Sequence, residues 1–322
     1  MRIVFMGTPE FSVPSLNVLI EEGYNVVAVV TQPDRPKGRK RVLTPPPVKV
    51  AAEAHGIPVF QPERLRKPEA VEVMREFAPD LIVTAAYGQI LPKSVLDLPA
   101  HGCINVHASL LPKYRGGAPI HHSIMNGDPT TGVTIMYMEE GLDTGDMISK
   151  VELPISDEDS TGTMFDKLSI AGSELLRTTL PDLIAGRITA EPQNNEEATY
   201  SPNINRENEL IDWTKSARGV FNQVRGLNPF PGAFTYFNGE VFKVWASELP
   251  VQNKQAGNAN PGTVLHTDEQ GIHVQTGDGV IILKQVQPAG KKAMEAAGLA
   301  RGNQALLNAV FGASRLAEDE DK

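Results

Sequence analysis

In the first third of the chain, uninterrupted apolar runs alternate with stretches of helical periodicity, and this limits the possible folds more than any other feature. Residues 2–6 (RIVFM), 25–30 (NVVAVV) and 81–86 (LIVTAA) are continuous, β-branched-rich runs of strand length. Between them Leu16, Leu19 and Ile20 mark one helix, residues 48–55 a short second one and residues 68–77 a third. Strands that are apolar on both faces and separated by helices belong in a parallel sheet covered on both sides. The expected architecture is therefore α/β, a doubly wound, mostly parallel, Rossmann-like sheet. Ligands of such sheets lie beyond the carboxyl ends of the strands. Here those ends are Gly7-Thr8-Pro9, Thr31-Gln32-Pro33, Tyr87-Gly88-Gln89 and the segment from Asn105 to Ser109.

At 322 residues the chain exceeds one ordinary core, so two domains are expected. The alternating run at residues 130–138 (TTGVTIMYM) reads as an antiparallel strand, and a helix over 161–185 closes a first domain spanning 1–189. The polar run 190–206 reads as a linker. Short strands with turn signals at Asn238-Gly239, 268–271 and 277–279 follow, which suggests a small OB-like β-barrel over 207–314 and then an acidic tail at 315–322. A single cysteine leaves no intramolecular disulfide framework and fits a reducing compartment, and the chain enters a strand at once; a cytoplasmic protein is expected. No run approaches the ~20 apolar residues of a membrane span. The net charge of −9 argues against a uniformly basic nucleic-acid surface but leaves room for a local patch.

Residues 103–119 (CINVHASLLPKYRGGAP) carry the most suggestive chemistry. If residues 103–109 are extended, Asn105, His107 and Ser109 share one face. An amide, an imidazole and a hydroxyl suit holding a carbonyl and moving a proton, although a strand end with incidental polar residues also fits. The loop after the first strand lacks the Gly-x-Gly-x-x-Gly pattern of dinucleotide binding, and no P-loop is present. Ser109 has no Gly-x-Ser-x-Gly elbow around it. His101, Cys103 and His107 would spread over roughly 20 Å of strand, too far for one metal ion. What remains is an amide, a histidine and, in the glycine-flanked turn 141–145 (GLDTG), the carboxylate of Asp143. With no internal nucleophile, this set suits acyl transfer between two bound substrates.

These residues carry a resemblance. Asn105-x-His107-x-Ser109-Leu110-Leu111-Pro112, with residues 141–146 (GLDTGD), resembles the folate-dependent formyltransferases that use 10-formyltetrahydrofolate. The likeness extends along nearly the whole chain through Gly7-Thr8-Pro9, 31–36 (TQPDRP), 86–92 (AYGQILP), 211–213 (IDW) and 287–294 (QPAGKKAM). The last motif separates the chain from relatives that formylate a small amine. The resemblance implies direct formyl transfer, without a covalent enzyme intermediate, to the α-amino group of methionine on initiator tRNA. It implies a catalytic set of Asn105, His107 and Asp143. It places folate on Ser109, Leu110, Leu111 and Pro112, with Tyr87, Gly88, Gln89, Ile90, Leu91, Glu139, Glu140, Gly141 and Leu142 lining the pterin pocket. The implied partners are folate and the acceptor arm of initiator methionyl-tRNA, with no metal and no membrane, and the chain is expected to be a monomer.

The segment 34–49 crowds Arg35, Lys37, Arg39, Lys40 and Arg41 among prolines and a glycine. Alone it fits either a solvated loop or a phosphate-contacting one; its place at a strand's carboxyl end favours phosphate contact. In the family the matching loop wedges into the acceptor arm. In the second domain Lys291 and Lys292 are further candidate tRNA contacts.

Overall fold

The computed structural model describes residues 1–251 and 258–312. The acidic tail at 315–322 lies outside the described residues. The described chain separates into two compact units.

The first unit is built on a seven-stranded sheet. In chain order its strands are β1 (Arg2–Gly7), β2 (Asn25–Val30), β5 (Val59–Phe60), β6 (Leu81–Ala85), β7 (Cys103–His107), β8 (Thr130–Tyr137) and β9 (Met147–Pro154), while β3 (Arg35–Lys37) and β4 (Val42–Thr44) form a separate two-stranded pair. The sheet order is β5-β2-β1-β6-β7-β8-β9. The pairings from β5 to β7 are parallel, and β8 and β9 add antiparallel neighbours. The order reverses at β1, whose neighbours are β2 and β6, so the carboxyl ends of β1 and β6 flank a switch point. Expected strands fall where the apolar runs are. The β8 strand differs in one respect: it is buried along both faces rather than alternating, because the helix Thr161–Ile184 packs on Val133 from one side and the 109–111 segment lies against Gly132 and Thr134 from the other.

The helices are α1 (Val13–Glu21), α2 (Pro47–Ala54), α3 (Pro68–Glu76), α4 (Lys93–Leu96), α5 (Pro119–Met125) and α6 (Thr161–Ile184). Val4, Met6, Ala28, Val30 and Ile82 point to one face, where Val71 and Met74 of α3 and Val95 of α4 close the core. Each fully buried Val, Ile or Met side chain among these contributes about 1.5–3 kcal/mol relative to exposure. Gly172 of α6 packs on the sheet so closely that a Cβ there would lie 2.9 Å from Val106.

The second unit holds α7 (Arg206–Glu209), α8 (Ala217–Gly226), α9 (Ala296–Ala300) and a six-stranded antiparallel sheet, β10 (Ala233–Phe237), β11 (Glu240–Glu248), β12 (Val264–Asp268), β13 (Gly271–Gln275), β14 (Val280–Gln287) and β15 (Met294–Glu295). The small antiparallel domain expected from the turn signals is present. Its core is Trp213, Val220, Val224, Phe242, Ile272 and Leu283 with their neighbours.

Two boundaries differ from the sequence reading. Residues 120–129 and 155–164 group with the second unit, so the division is not a single cut. The segment expected to be a linker is not one: residues as far as Pro202 group with the first unit. Thr199 and Ser201 exchange backbone hydrogen bonds with Arg115, and Glu191 exchanges two with Met147. Its backbone pairs with other strands and loops while most of its polar side chains face solvent.

Candidate active site

Strand β7 ends at His107, and the chain then turns. Asn105 pairs with Thr84 across the β6–β7 ladder. The Thr84 hydroxyl, fully enclosed, lies 2.8 Å from Asn105 Oδ1. With its oxygen engaged there, the Asn105 amide presents its two N–H bonds to the site. His107 is buried, and its Nε2 lies 2.9 Å from the Tyr114 carbonyl oxygen. A carbonyl only accepts, so Nε2 carries the hydrogen, and Nδ1 is the ring atom left for chemistry. Nδ1 faces Asp143 Oδ2 at 3.8 Å.

Asp143 is held from its own side. The Gly116 amide donates to Oδ2 at 2.8 Å. Gly116 has φ of +118°, and a Cβ there would come within 2.9 Å of the Ser201 carbonyl oxygen, so glycine is required where the backbone turns its N–H to the carboxylate. Asp143 itself is left-handed at φ +51°. Gln193 donates to the carbonyl oxygens of Asp143 and Gly145, each at 2.8 Å. Thus the structure brings Asn105, His107 and Asp143 together in one unit.

The expected folate residues divide into two groups. Ser109 does not extend the β7 face. Its side chain is enclosed and donates to the Lys113 carbonyl at 2.6 Å, while its own carbonyl accepts from Thr134 at 2.7 Å. The Leu111 side chain is buried, and its backbone N–H lies 3.1 Å from the same Thr134 hydroxyl. The Tyr87 ring sits in the core with Leu65, Met74 and Leu91; burial raises its pKa, and its hydroxyl has no hydrogen-bond partner among the described residues. Gln89 donates to the Pro62 carbonyl at 3.1 Å and accepts from the Leu65 amide at 2.8 Å. These side chains shape the loops from within. Side chains open to a ligand are instead Ile90, 83% exposed, and Leu142, 58% exposed, together with Glu139, Glu140 and the partly buried Leu110.

The basic segment is more ordered than a loop. Arg35–Lys37 and Val42–Thr44 pair antiparallel as a hairpin, with Gly38 and Arg41 in left-handed conformations at its tip. Lys37, Arg39, Lys40 and Arg41 are exposed, as are Val42 and Leu43. Asp34 at the base binds Lys49 and Gln61, and the Gln61 hydrogen bond, then Lys49, lowers its pKa. Lys291 and Lys292 are exposed in the second unit. Burial pushes the Cys103 thiol up to about 12, which removes it as a nucleophile at neutral pH.

One group among the described residues has metal-compatible donors, His266, Asp268 and His273. Asp268 Oδ1 already accepts from the Gln270 and Gly271 amides and lies 2.9 Å from His273 Nε2. The two imidazoles stack at 3.9 Å, so their lone pairs run side by side instead of converging. The group caps the β12–β13 turn.

Sequence reasoning missed Thr84, Gly116, Arg115 and Gln193. Gly116 had a signal in the Arg115-Gly116-Gly117 turn; the other three act through contacts distant in sequence.

The family described as "Formyl transferase" matches residues 1–180, and "Formyl transferase, C-terminal domain" matches residues 203–304. The chain is 57% identical over 312 residues to the methionyl-tRNA formyltransferase of Bacillus subtilis, covering 97% of this chain and 98% of that one. It is 58% identical over 295 residues to the methionyl-tRNA formyltransferase of Listeria monocytogenes, covering 91% and 93%. Among solved structures, WlaRD, a sugar 3N-formyl transferase, aligns at 19% identity with a TM-score of 0.66, covering 91% of this chain and 99% of that one. HypX from Aquifex aeolicus, in complex with tetrahydrofolic acid, aligns at 18% identity with a TM-score of 0.62; 93% of this chain matches 46% of that one, so this chain spans about half the length of HypX. At these identities the two structures speak for the fold alone.

Proposed function

The chain belongs to the formyl transferase family, and from that premise we propose that it transfers the formyl group of 10-formyltetrahydrofolate to the α-amino group of methionyl-tRNA, giving the N-formylated initiator tRNA. The observation that carries the chemistry is the orientation of His107. Its Nε2–H is committed to the Tyr114 carbonyl, so Nδ1 faces the site opposite the Asp143 carboxylate.

The neutral α-amine attacks the formyl carbon, and the carbonyl electron pair moves to oxygen. An amino group with a pKa near 8 has a substantial neutral fraction at pH 7. Charge developing on that oxygen is met by the Asn105 amide, whose direction Thr84 fixes, and by a proton on His107 Nδ1. The carbon–nitrogen bond to the folate then breaks, and the departing nitrogen takes up the proton that the attacking amine gave up, so that Asp143 ends as it began. Asp143, held by Gly116, receives the proton that the amine loses, directly or through one water. No side-chain nucleophile takes part.

The folate supplies an activated formyl group and no redox chemistry. Ile90, Leu110 and Leu142 would hold its ring, with the backbone of Tyr87, Gly88 and Gln89 and of Gly141 providing polar contacts; Leu91, Leu111 and Pro112 support them, and Glu139 and Glu140 border them. Arg35, Lys37, Arg39, Lys40 and Arg41 on the β3–β4 hairpin, with Lys291 and Lys292, would contact tRNA phosphates, the hairpin at the acceptor arm. The first unit would be the catalytic domain and the second the tRNA-binding domain, and the protein would work as a cytoplasmic monomer.

The test presents 10-formyltetrahydrofolate with charged initiator tRNA or with an amino-sugar nucleotide as acceptor. Transfer to the methionyl-tRNA and not to the sugar is expected. Transfer to the sugar alone would replace this reading with a small-amine formyltransferase, and folate binding without transfer to either would make the protein a binder.

A further inference from the structure

Arg115 is only 2% exposed, and its guanidinium is directed at side-chain amides. Its Nε and Nη2 donate to Gln193 Oε1 at 3.1 and 2.9 Å, and Nη2 also donates to Asn195 Oδ1 at 2.8 Å. The Gln193 Nε2 hydrogens go to the carbonyl oxygens of Asp143 and Gly145. All four hydrogen-bonding positions of the Gln193 amide are therefore filled, two by a buried cation and two by the turn that carries Asp143. A cation on the amide oxygen polarises the group and strengthens its N–H donors.

We propose that Gln193, backed by Arg115, is a positioning residue for formyl transfer, holding the Asp143 turn so that the carboxylate stays opposite His107 Nδ1. The proposal rests on the role given to Asp143 above. The turn needs an outside hold. Asp143 is a non-glycine residue in the left-handed region, a conformation that persists only where its surroundings impose it. Gly141 and Leu142, just before it, are exposed and offer no packing. Gly116 fixes the carboxylate, whereas the Gln193 amide bonds the carbonyls on both sides of Thr144, which fixes the backbone from which that carboxylate projects. The segment carrying Gln193 is itself anchored by the Glu191–Met147 and Ser201–Arg115 backbone bonds, so the hold is attached to the sheet.

A double-mutant cycle tests this in the full-length protein. Gln193→Glu keeps the shape and the Arg115 contacts but turns an acceptor toward the two carbonyls. It is expected to lower kcat at least tenfold, leave KM for folate and for tRNA within about threefold and move the pH profile of kcat/KM. In an Asp143→Asn background the same change is expected to cost less than twofold, because the carboxylate it positions is gone. Should Gln193→Glu fold poorly, Gln193→Met removes the same donors without charge and goes through the same cycle. An equal loss in both backgrounds, an effect confined to KM, no loss at all, or failure of both variants to fold would each overturn the proposal and leave Gln193 a structural residue. A fully active Asp143→Asn protein would instead overturn the role of Asp143.

Discussion

His107 Nδ1 stands 3.8 Å from Asp143 Oδ2, and each group is fixed by the backbone of the one loop that follows β7: His107 by the Tyr114 carbonyl, Asp143 by the Gly116 amide. Residues 114–116 thus supply an acceptor to the imidazole and a donor to the carboxylate. The separation is longer than a hydrogen bond, so neither group is committed to the other and both remain available to a substrate.

The Asn105 amide is the only member of the set aimed by a side chain from the neighbouring strand. Asn105→Ala is expected to lower kcat roughly 100- to 1,000-fold, in line with loss of one oxyanion donor. Thr84→Val, which keeps the packing but frees the amide to rotate, should give a smaller loss of roughly three- to tenfold. Steady-state kinetics with folate KM as the control decide it.

Gly145 has no room for a side chain, since a Cβ there would collide with the Tyr137 carbonyl oxygen. Gly145→Ala must displace either β8 or the turn. It is expected to cut kcat at least tenfold while far-UV circular dichroism is retained.

Neutralising Arg39, Lys40 and Arg41 together should raise KM for tRNA and leave folate affinity intact. If all three contact phosphates, the slope of log K against log salt falls by about 2. An unchanged slope would remove the hairpin from the tRNA interface.

The parallel strands and the Asn105, His107 and Asp143 set were legible because they rest on local pattern: continuous β-branched runs, alternating polar residues and a glycine-flanked acid. Folding roles carried by distant contacts were not. Residues 191–201 have the composition of a linker, yet their backbone and Gln193 bond to residues far earlier in the chain. The basic segment read as a loop because its prolines and glycine suggest turns, while its cross-strand pairing of Pro36 with Leu43 has no sequence signature. The resemblance puts Tyr87 and Gln89 along the pterin pocket; in the structure one side chain turns into the core and the other braces a neighbouring loop.

Burial lowers the pKa of His121, against the opposing hydrogen bond to the Phe230 carbonyl, and His122 adds to the depression. The unfolded chain therefore takes the proton first as pH falls below about 6.5, and stability decreases from there toward the folded-state pKa. Asp34, Asp157, Asp212 and Asp268, all lowered, act only further down, as their carboxylates protonate. His121→Gln should flatten the fall in Tm between pH 7 and 5, measured by calorimetry.

The central claim is that the Asp143 carboxylate opposite His107 Nδ1 takes part in the transfer step itself. The most direct measurement is single-turnover formyl transfer to methionyl-tRNA by Asp143→Asn, with both substrates saturating. A rate lower by roughly 100-fold or more, with folate affinity unchanged, is the predicted result. A rate within a few-fold of the unaltered protein would contradict it.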